Sequence, residues 1–194
     1  YYLLVWQPHD YMKKNGFSML EMIVVVAAVS VLLMVSVSSL QSAKLQASLS
    51  RVTFTFAQNV SRAQQLASSE SPVFIQAVEQ TIDGYGIYMD LTGSGNKQYV
   101  LYADAEPGNQ AYEGTDHEIE TINFSLSEPG IVIKEIQNIS GNAVSINFTS
   151  GSLQTEITPL TVGQVNMVVV FALESDLSKT KSVSINTSGL IEVE

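Results

Sequence analysis

From Met22 to Leu40 the chain reads MIVVVAAVSVLLMVSVSSL, nineteen residues without a charge. As a helix this run would be roughly 28 Å long, about the thickness of one bilayer core. In a short protein such a run is either a membrane span or the apolar region of a secretory signal. A signal usually has a shorter apolar region, about 7–15 residues, followed by small residues at a cleavage point. Ser39, Ser42 and Ala43 could supply that point. Against it, the helical pattern continues past Leu40 without a break. Lys13 and Lys14 flank the run on its amino side, and the positive-inside bias then leaves the amino terminus in the cytoplasm and the remainder outside.

Composition narrows the function classes. The 194 residues carry 19 acidic and 9 basic side chains, a net charge of -10. A nucleic-acid binder must neutralise phosphates with clustered Lys and Arg, and no such cluster exists here. With no cysteine, a disulfide framework, a thiolate metal site, a cysteine nucleophile and a lipobox-type lipid anchor are all excluded. Only 14% of residues are charged against 45% hydrophobic, which fits one moderate domain plus a separate apolar segment.

Upstream of the run lies YYLLVWQPHDY, residues 1–11, with no initiating methionine. Met12, followed by Lys13, Lys14, Asn15 and Gly16, looks like a natural start. Residues 1–11 are either an upstream extension or part of the expressed protein, and fold reasoning sets them aside. One carboxylate, Glu21, interrupts the apolar stretch that begins at Phe17. An ionised carboxylate in hydrocarbon costs about 2.5–3.5 kcal/mol unless paired. A cut before Phe17 would create an α-amino group one helical turn away, its obvious counter-charge. A Glu21 solvated at headgroup level is the plain alternative.

The string Lys13-Lys14-Asn15-Gly16-Phe17-Ser18-Met19-Leu20-Glu21, followed by about twenty apolar residues, resembles the processing signal of type IV prepilins and type II secretion pseudopilins. The resemblance implies cleavage by prepilin peptidase between Gly16 and Phe17 and N-methylation of Phe17. It also implies that Lys13 and Lys14 supply the leader charge and that Glu21 directs subunit assembly.

After Leu40 the apolar positions Leu45, Leu49, Val52, Phe56, Val60, Ala63 and Ala67 recur every three or four residues, a helical stripe. One helix from Phe17 to about Glu70 would be roughly 81 Å long, ended by Pro72. Its first half is apolar all round and its second half is a stripe. Beyond Pro72 the period shifts toward two. Val73–Val78, Tyr85–Met89, Gln98–Tyr102, Ile131–Ile136, Ala143–Phe148, Val165–Ala172, Ser182–Ile185 and Leu190–Val193 read as strands, punctuated by turn clusters such as Thr92–Asn96 and Asn186–Gly189. The expected fold is α+β, with antiparallel strands packed on the amphipathic half of a long N-terminal helix. Residues 1–16 form the leader, 17–40 the transmembrane or filament-core helix, 41–71 its amphipathic half and 72–194 a β-rich globular domain.

Across the amphipathic half of the helix and the domain that follows it, the resemblance extends at pattern level to the minor-subunit class represented by GspH and FimT. Arg62-Ala63, Tyr99–Asp104 leading into an acidic loop with Asn109 and Tyr112, Gly130–Ile133, and Val183–Ile191 carry it. The chain lacks the cysteine pair that closes a C-terminal loop in major pilins. Ser36, Ser38 and Ser39 stand in the membrane helix where many pilins have a helix-bending proline.

Other chemistry is thinly represented. After a cut at Phe17, His117 would be the single histidine. No Gly-x-Ser-x-Gly turn surrounds any serine, which argues against a serine hydrolase. Asp116-His117-Glu118 is a ligand triplet on paper, but alternating side chains rarely converge on one metal. Seven carboxylates between Asp104 and Glu128, with no Lys or Arg among them, form an oxygen-rich stretch. It could suit calcium, but without EF-hand spacing it reads more simply as a mobile, negatively charged connection. Thr92–Lys97 lacks phosphate-loop spacing. The Asn-x-Ser/Thr triplets at Asn59, Asn123, Asn138, Asn147 and Asn186 are treated as incidental.

The expected protein is a non-enzymatic pilin-like subunit with no metal or cofactor. Its partners are other pilin or pseudopilin subunits through the N-terminal helix, prepilin peptidase and inner-membrane lipid, and its domain is periplasmic. A signal-anchored adhesin or binding module, and a secreted enzyme cut near Ala43, are the rival classes.

Overall fold

The structure is a computed structural model that describes residues 18–69, 73–75, 78–105, 108–152 and 154–194, without the side chains of 35–39, 73–75 and 78–80. It divides into two compact units, the first ending at Ser42 and the second comprising Ala43–Glu194. The α+β expectation holds: an N-terminal helix packs on antiparallel sheet.

Helix α1 spans Met19–Ser69. Within the second unit its residues Leu49, Val52, Phe56, Val60, Ala63 and Ala67 are buried, and Leu45 packs against the same core from a half-buried position. This is the stripe that the three-and-four spacing predicts. Phe56 is its centre. Its ring meets Tyr99 edge-on with centroids 5.1 Å apart and lies 5.4 Å from Phe171, so one side chain joins the helix to both principal sheets.

The strands are β1 (Val73–Ile75), β2 (Val78–Gln80), β3 (Ile82–Asp90), β4 (Gln98–Ala105), β5 (His117–Asn123), β6 (Ile131–Gln137), β7 (Ala143–Thr149), β8 (Thr155–Thr158), β9 (Asn166–Leu173), β10 (Asp176–Asn186) and β11 (Ile191–Val193). A short helix, α2, covers Phe124–Ser127, and a single 3-10 turn at Gly95–Lys97 lies between β3 and β4. One sheet has the order β5-β4-β3-β7-β8, a second β11-β10-β9-β6, and β1 pairs with β2 alone. All these pairings are antiparallel.

Period-two alternation sets which face each residue takes. Tyr85, Ile87 and Met89 of β3, Tyr99, Leu101 and Ala103 of β4, and Val144, Ile146 and Phe148 of β7 are buried in the cluster that includes the helix stripe. Met167, Val169 and Phe171 of β9, with Val183 and Ile185 of β10, complete it from the second sheet.

Several expectations change. Val73–Val78 is not one strand, because β1 and β2 form a separate hairpin with Ile75 paired to Val78, and residues 76 and 77 lie outside the described residues. Helix α1 begins at Met19, after the non-helical Ser18, while Phe17, Glu70 and Pro72 lie outside the described residues. The stretch Asp104–Glu128, of which residues 106 and 107 lie outside the described residues, is more than a connection. It contains strand β5, which pairs with β4 from Gln98↔Asn123 to Ala103↔His117, and the capped helix α2. The acidic residues hid β5 because only Ile119 and Ile122 of its seven residues are apolar. Strand β8 was equally invisible: Thr155 and Ile157 face inward while Glu156 and Thr158 are half-buried, too short an alternation to read.

Candidate functional site

The candidate assembly element is the first unit. Ser18 precedes α1 and accepts its first hydrogen bonds: its carbonyl from the Met22 N–H at 3.1 Å and its Oγ from the Glu21 N–H at 3.2 Å. Helix starts leave orphan N–H donors, and a Ser three residues before a Glu is the pairing that satisfies them. Glu21 therefore stands at the third helical position, in the first turn, where the positive end of the helix dipole favours a carboxylate. The Ser18-to-Glu21 spacing was readable in the sequence as a capping box, and sequence reasoning that followed only the charge of Glu21 missed it.

Beyond this cap the helix presents apolar side chains on every side. Met19, Leu20, Met22, Ile23, Val24, Val25, Val26, Val29, Val31, Leu32, Leu33, Met34 and Leu40 are all exposed. A helix apolar all round is buried in lipid or protein in its working state, and fully burying one Val, Leu, Ile or Met side chain contributes about 1.5–3 kcal/mol. Ser30 does not offset this character, because its Oγ donates back to the Val26 carbonyl at 2.8 Å. Among the described residues no helix is long and apolar enough to cross a membrane. The side chains of residues 35–39, within the Met22–Leu40 run, lie outside the described set. The remaining residues of the processing signal, Lys13, Lys14, Gly16 and Phe17, lie outside the described residues too.

In the second unit the acidic stretch is a folded strap across the outer face of the five-stranded sheet. Asp104, only 1% exposed, accepts from the Gln110 N–H and from Asn147 Nδ2, both at 2.9 Å. Asp83 accepts from the Gly108 N–H at 2.7 Å. Asp116 takes the Glu113 N–H at 2.6 Å and the Ala105 N–H at 3.3 Å. Three carboxylates are thus consumed in fixing backbone turns. Tyr112 then lies on the sheet, stacked on Tyr88 at 4.5 Å and edge-on to Tyr102 at 5.2 Å. Its hydroxyl donates to Glu118.

The glycines of β3 make room for this layer. A Cβ on Gly86 would come within 2.6 Å of the Tyr102 ring and hydroxyl, and one on Gly84 within 2.2 Å of Asn147 Oδ1. That oxygen is buried without a hydrogen-bond partner. Burial pushes the Asp104 carboxyl up, against the opposing Gln110 N–H, with Asp116 and Asp83 adding to the rise. Burial likewise raises Tyr102. Tyr112 is pushed up to about 12, chiefly by its hydrogen bond to Glu118.

Asp116, His117 and Glu118 do not converge. Asp116 faces strap N–H groups and Glu118 holds Tyr112, while His117 opens β5 opposite Ala103. Among the described residues no group of three or more His, Asp or Glu side chains is placed to hold a metal ion. Of the triplet asparagines, Asn59 donates to the Tyr99 hydroxyl at 2.8 Å and Asn147 is fully buried, while Asn123 caps α2. A cleft of about 200 Å³ opens beside Tyr99, Phe124 and Val52, with the Arg51–Glu128 ion pair at 2.6 Å among its walls.

No curated protein and no solved structure gives a significant match to this chain. Residues 11–37 match the model of the prokaryotic N-terminal methylation motif. That segment contains the basic pair, the Gly16–Phe17 bond, Glu21 and the start of the apolar helix, and the match supports a type IV pilin-like protein.

Proposed function

We propose that the chain is a structural pilin-like subunit of a type II secretion pseudopilus or type IV pilus, a minor or tip component of the GspH/FimT class. Prepilin peptidase cuts it between Gly16 and Phe17, after Lys13 and Lys14 have held the leader in the cytoplasm, and Phe17 is N-methylated. The helix of residues 17–40 holds the subunit in the inner membrane, with the domain of residues 72–194 in the periplasm. It then passes into the filament core. Glu21 pairs with the Phe17 amine of a neighbouring subunit, because either charge alone in an apolar core is costly. The subunit performs no catalysis.

The observation that carries this reading is the methylation motif set on an apolar helix that is exposed on all sides. The minor-class assignment is supported by the absence of cysteine and by the strand patterns around Tyr99 and Val183. Mass spectrometry of the mature N-terminal peptide tests it. N-methyl-phenylalanine at Phe17 is the expected result. An intact segment 12–16 would instead mark a signal-anchored binding module, and a product beginning near Ala43 a secreted protein.

A further inference from the structure

Strand β11 is the outer strand of its sheet, and no strand pairs with its far side among the described residues. In an antiparallel ladder, residues that exchange both backbone bonds alternate with residues that exchange none. Ser182 and Glu194 exchange both, at 3.0 and 2.9 Å. The non-bonded pairs are therefore Val183↔Val193 and Ile185↔Ile191, and the N–H and C=O groups of Ile191 and Val193 point away from β10 to the open edge. Their side chains line a groove of about 410 Å³ whose other wall is α1, with Phe54, Ala57, Ser61 and Arg62. Phe54 is 53% exposed there, although it lies in the packed half of the helix.

We propose that this groove receives an extended strand of another polypeptide, one that alternates apolar residues with Lys or Arg. Strand addition draws affinity from main-chain bonds and selectivity from alternate side chains. The open edge supplies the first, while Phe54, Ala57, Ile191 and Val193 select apolar residues on the groove side. Charge selects the other face. Glu192 is exposed between Ile191 and Val193 and points to the opposite side of the strand. Arg62, the cation of the groove, is already paired with Glu120 at 2.7 Å. A second copy of the chain is a poor occupant: two β11 strands paired antiparallel about their middle residue set Glu192 against its own counterpart, and like charges directly opposite destabilise a ladder.

The probe is a capped heptapeptide of alternating lysine and valine, added to the full chain in detergent micelles while amide exchange is followed residue by residue. Exchange at Ile191 and Val193 should slow by at least about tenfold at saturation, since edge amides gain main-chain partners. The same peptide with glutamate for lysine, with serine for valine, or with N-methylated valines should fail to produce this protection. Val193→Pro removes an edge donor that β10 does not use, a position where proline is tolerated, and should abolish it. Phe54→Ser, at an exposed site, should weaken it if Val193→Pro misfolds. Unchanged exchange at Ile191 and Val193 would mean a short acidic edge that merely blocks pairing and would overturn the proposal. Equal binding of the serine peptide would overturn it as charge attraction alone. Concentration-dependent protection without peptide would overturn it in favour of a second copy.

Discussion

Two roles are open to the Glu21 side chain, support of the helix start and the proposed inter-subunit pairing, and substitution can pull them apart. Its backbone N–H is capped by Ser18 at 3.2 Å, which the side chain at position 21 supports only as part of a capping box, a role that glutamine fills as well as glutamate. Its charge serves the proposed inter-subunit pair, which glutamine cannot serve. Removing the cap by Ser18→Ala should cost about 1 kcal/mol of helix start, or roughly fivefold in a coupled equilibrium. Leaving the Phe17 amine unpaired in an apolar core should cost about 2.5–3.5 kcal/mol, or roughly 60- to 400-fold. Glu21→Gln and Glu21→Ala should therefore lose incorporation into filaments to a similar, severe extent, with Ser18→Ala only mildly impaired. The assay is the fraction of subunit sedimenting with sheared filaments from the native host, with melting of the folded domain as control. All three variants should melt like the parent, because Ser18 and Glu21 lie in the first unit. Wild-type incorporation of Glu21→Gln alongside failure of Glu21→Ala would refute the charge-pairing argument and leave capping as the role of the residue.

Phe56→Ala should destabilise the second unit by about 3–5 kcal/mol, the usual cost of a large buried ring, since Phe56 is fully buried between Tyr99 and Phe171; chemical denaturation would read it. Gly84→Ala should expel Asn147 from its site, because the new methyl would sit 2.2 Å from Oδ1. The expected loss is about 1–3 kcal/mol, an overpacking penalty, together with faster exchange of the Gln110 amide. Asp104 gives a pH dependence of defined sign. Its folded carboxyl is raised above the usual value by burial, so the folded state binds the proton more tightly and stability falls as pH rises from the unfolded carboxylate pKa through the raised folded one. Asp104→Asn should flatten that part of the stability–pH curve, which urea titrations from acid to neutral pH would show. A steeper curve in the variant would contradict it.

The N-terminal element was legible from local chemistry alone. A run of nineteen uncharged residues, a glutamate at a fixed offset and a basic pair need no tertiary context, because hydrophobicity and charge act there residue by residue. The buried helix stripe from Leu49 to Ala67 was equally plain, since helical period survives wherever one face packs on a core. The acidic strap was not. Asp83, Asp104 and Asp116 look like solvated charges in sequence, and only folding brings their oxygens against the N–H groups of Gly108, Gln110, Ala105 and Glu113. Strand β5 exists because β4 offers it a ladder, not because its own side chains alternate. The open edge of β11 likewise depends on strand order, a pairing between residues far apart in the chain. Composition and periodicity thus determined what must leave water and which face of the helix would pack on a core. Long-range pairing alone decided which carboxylates became structural and which sheet edge has no further strand among the described residues.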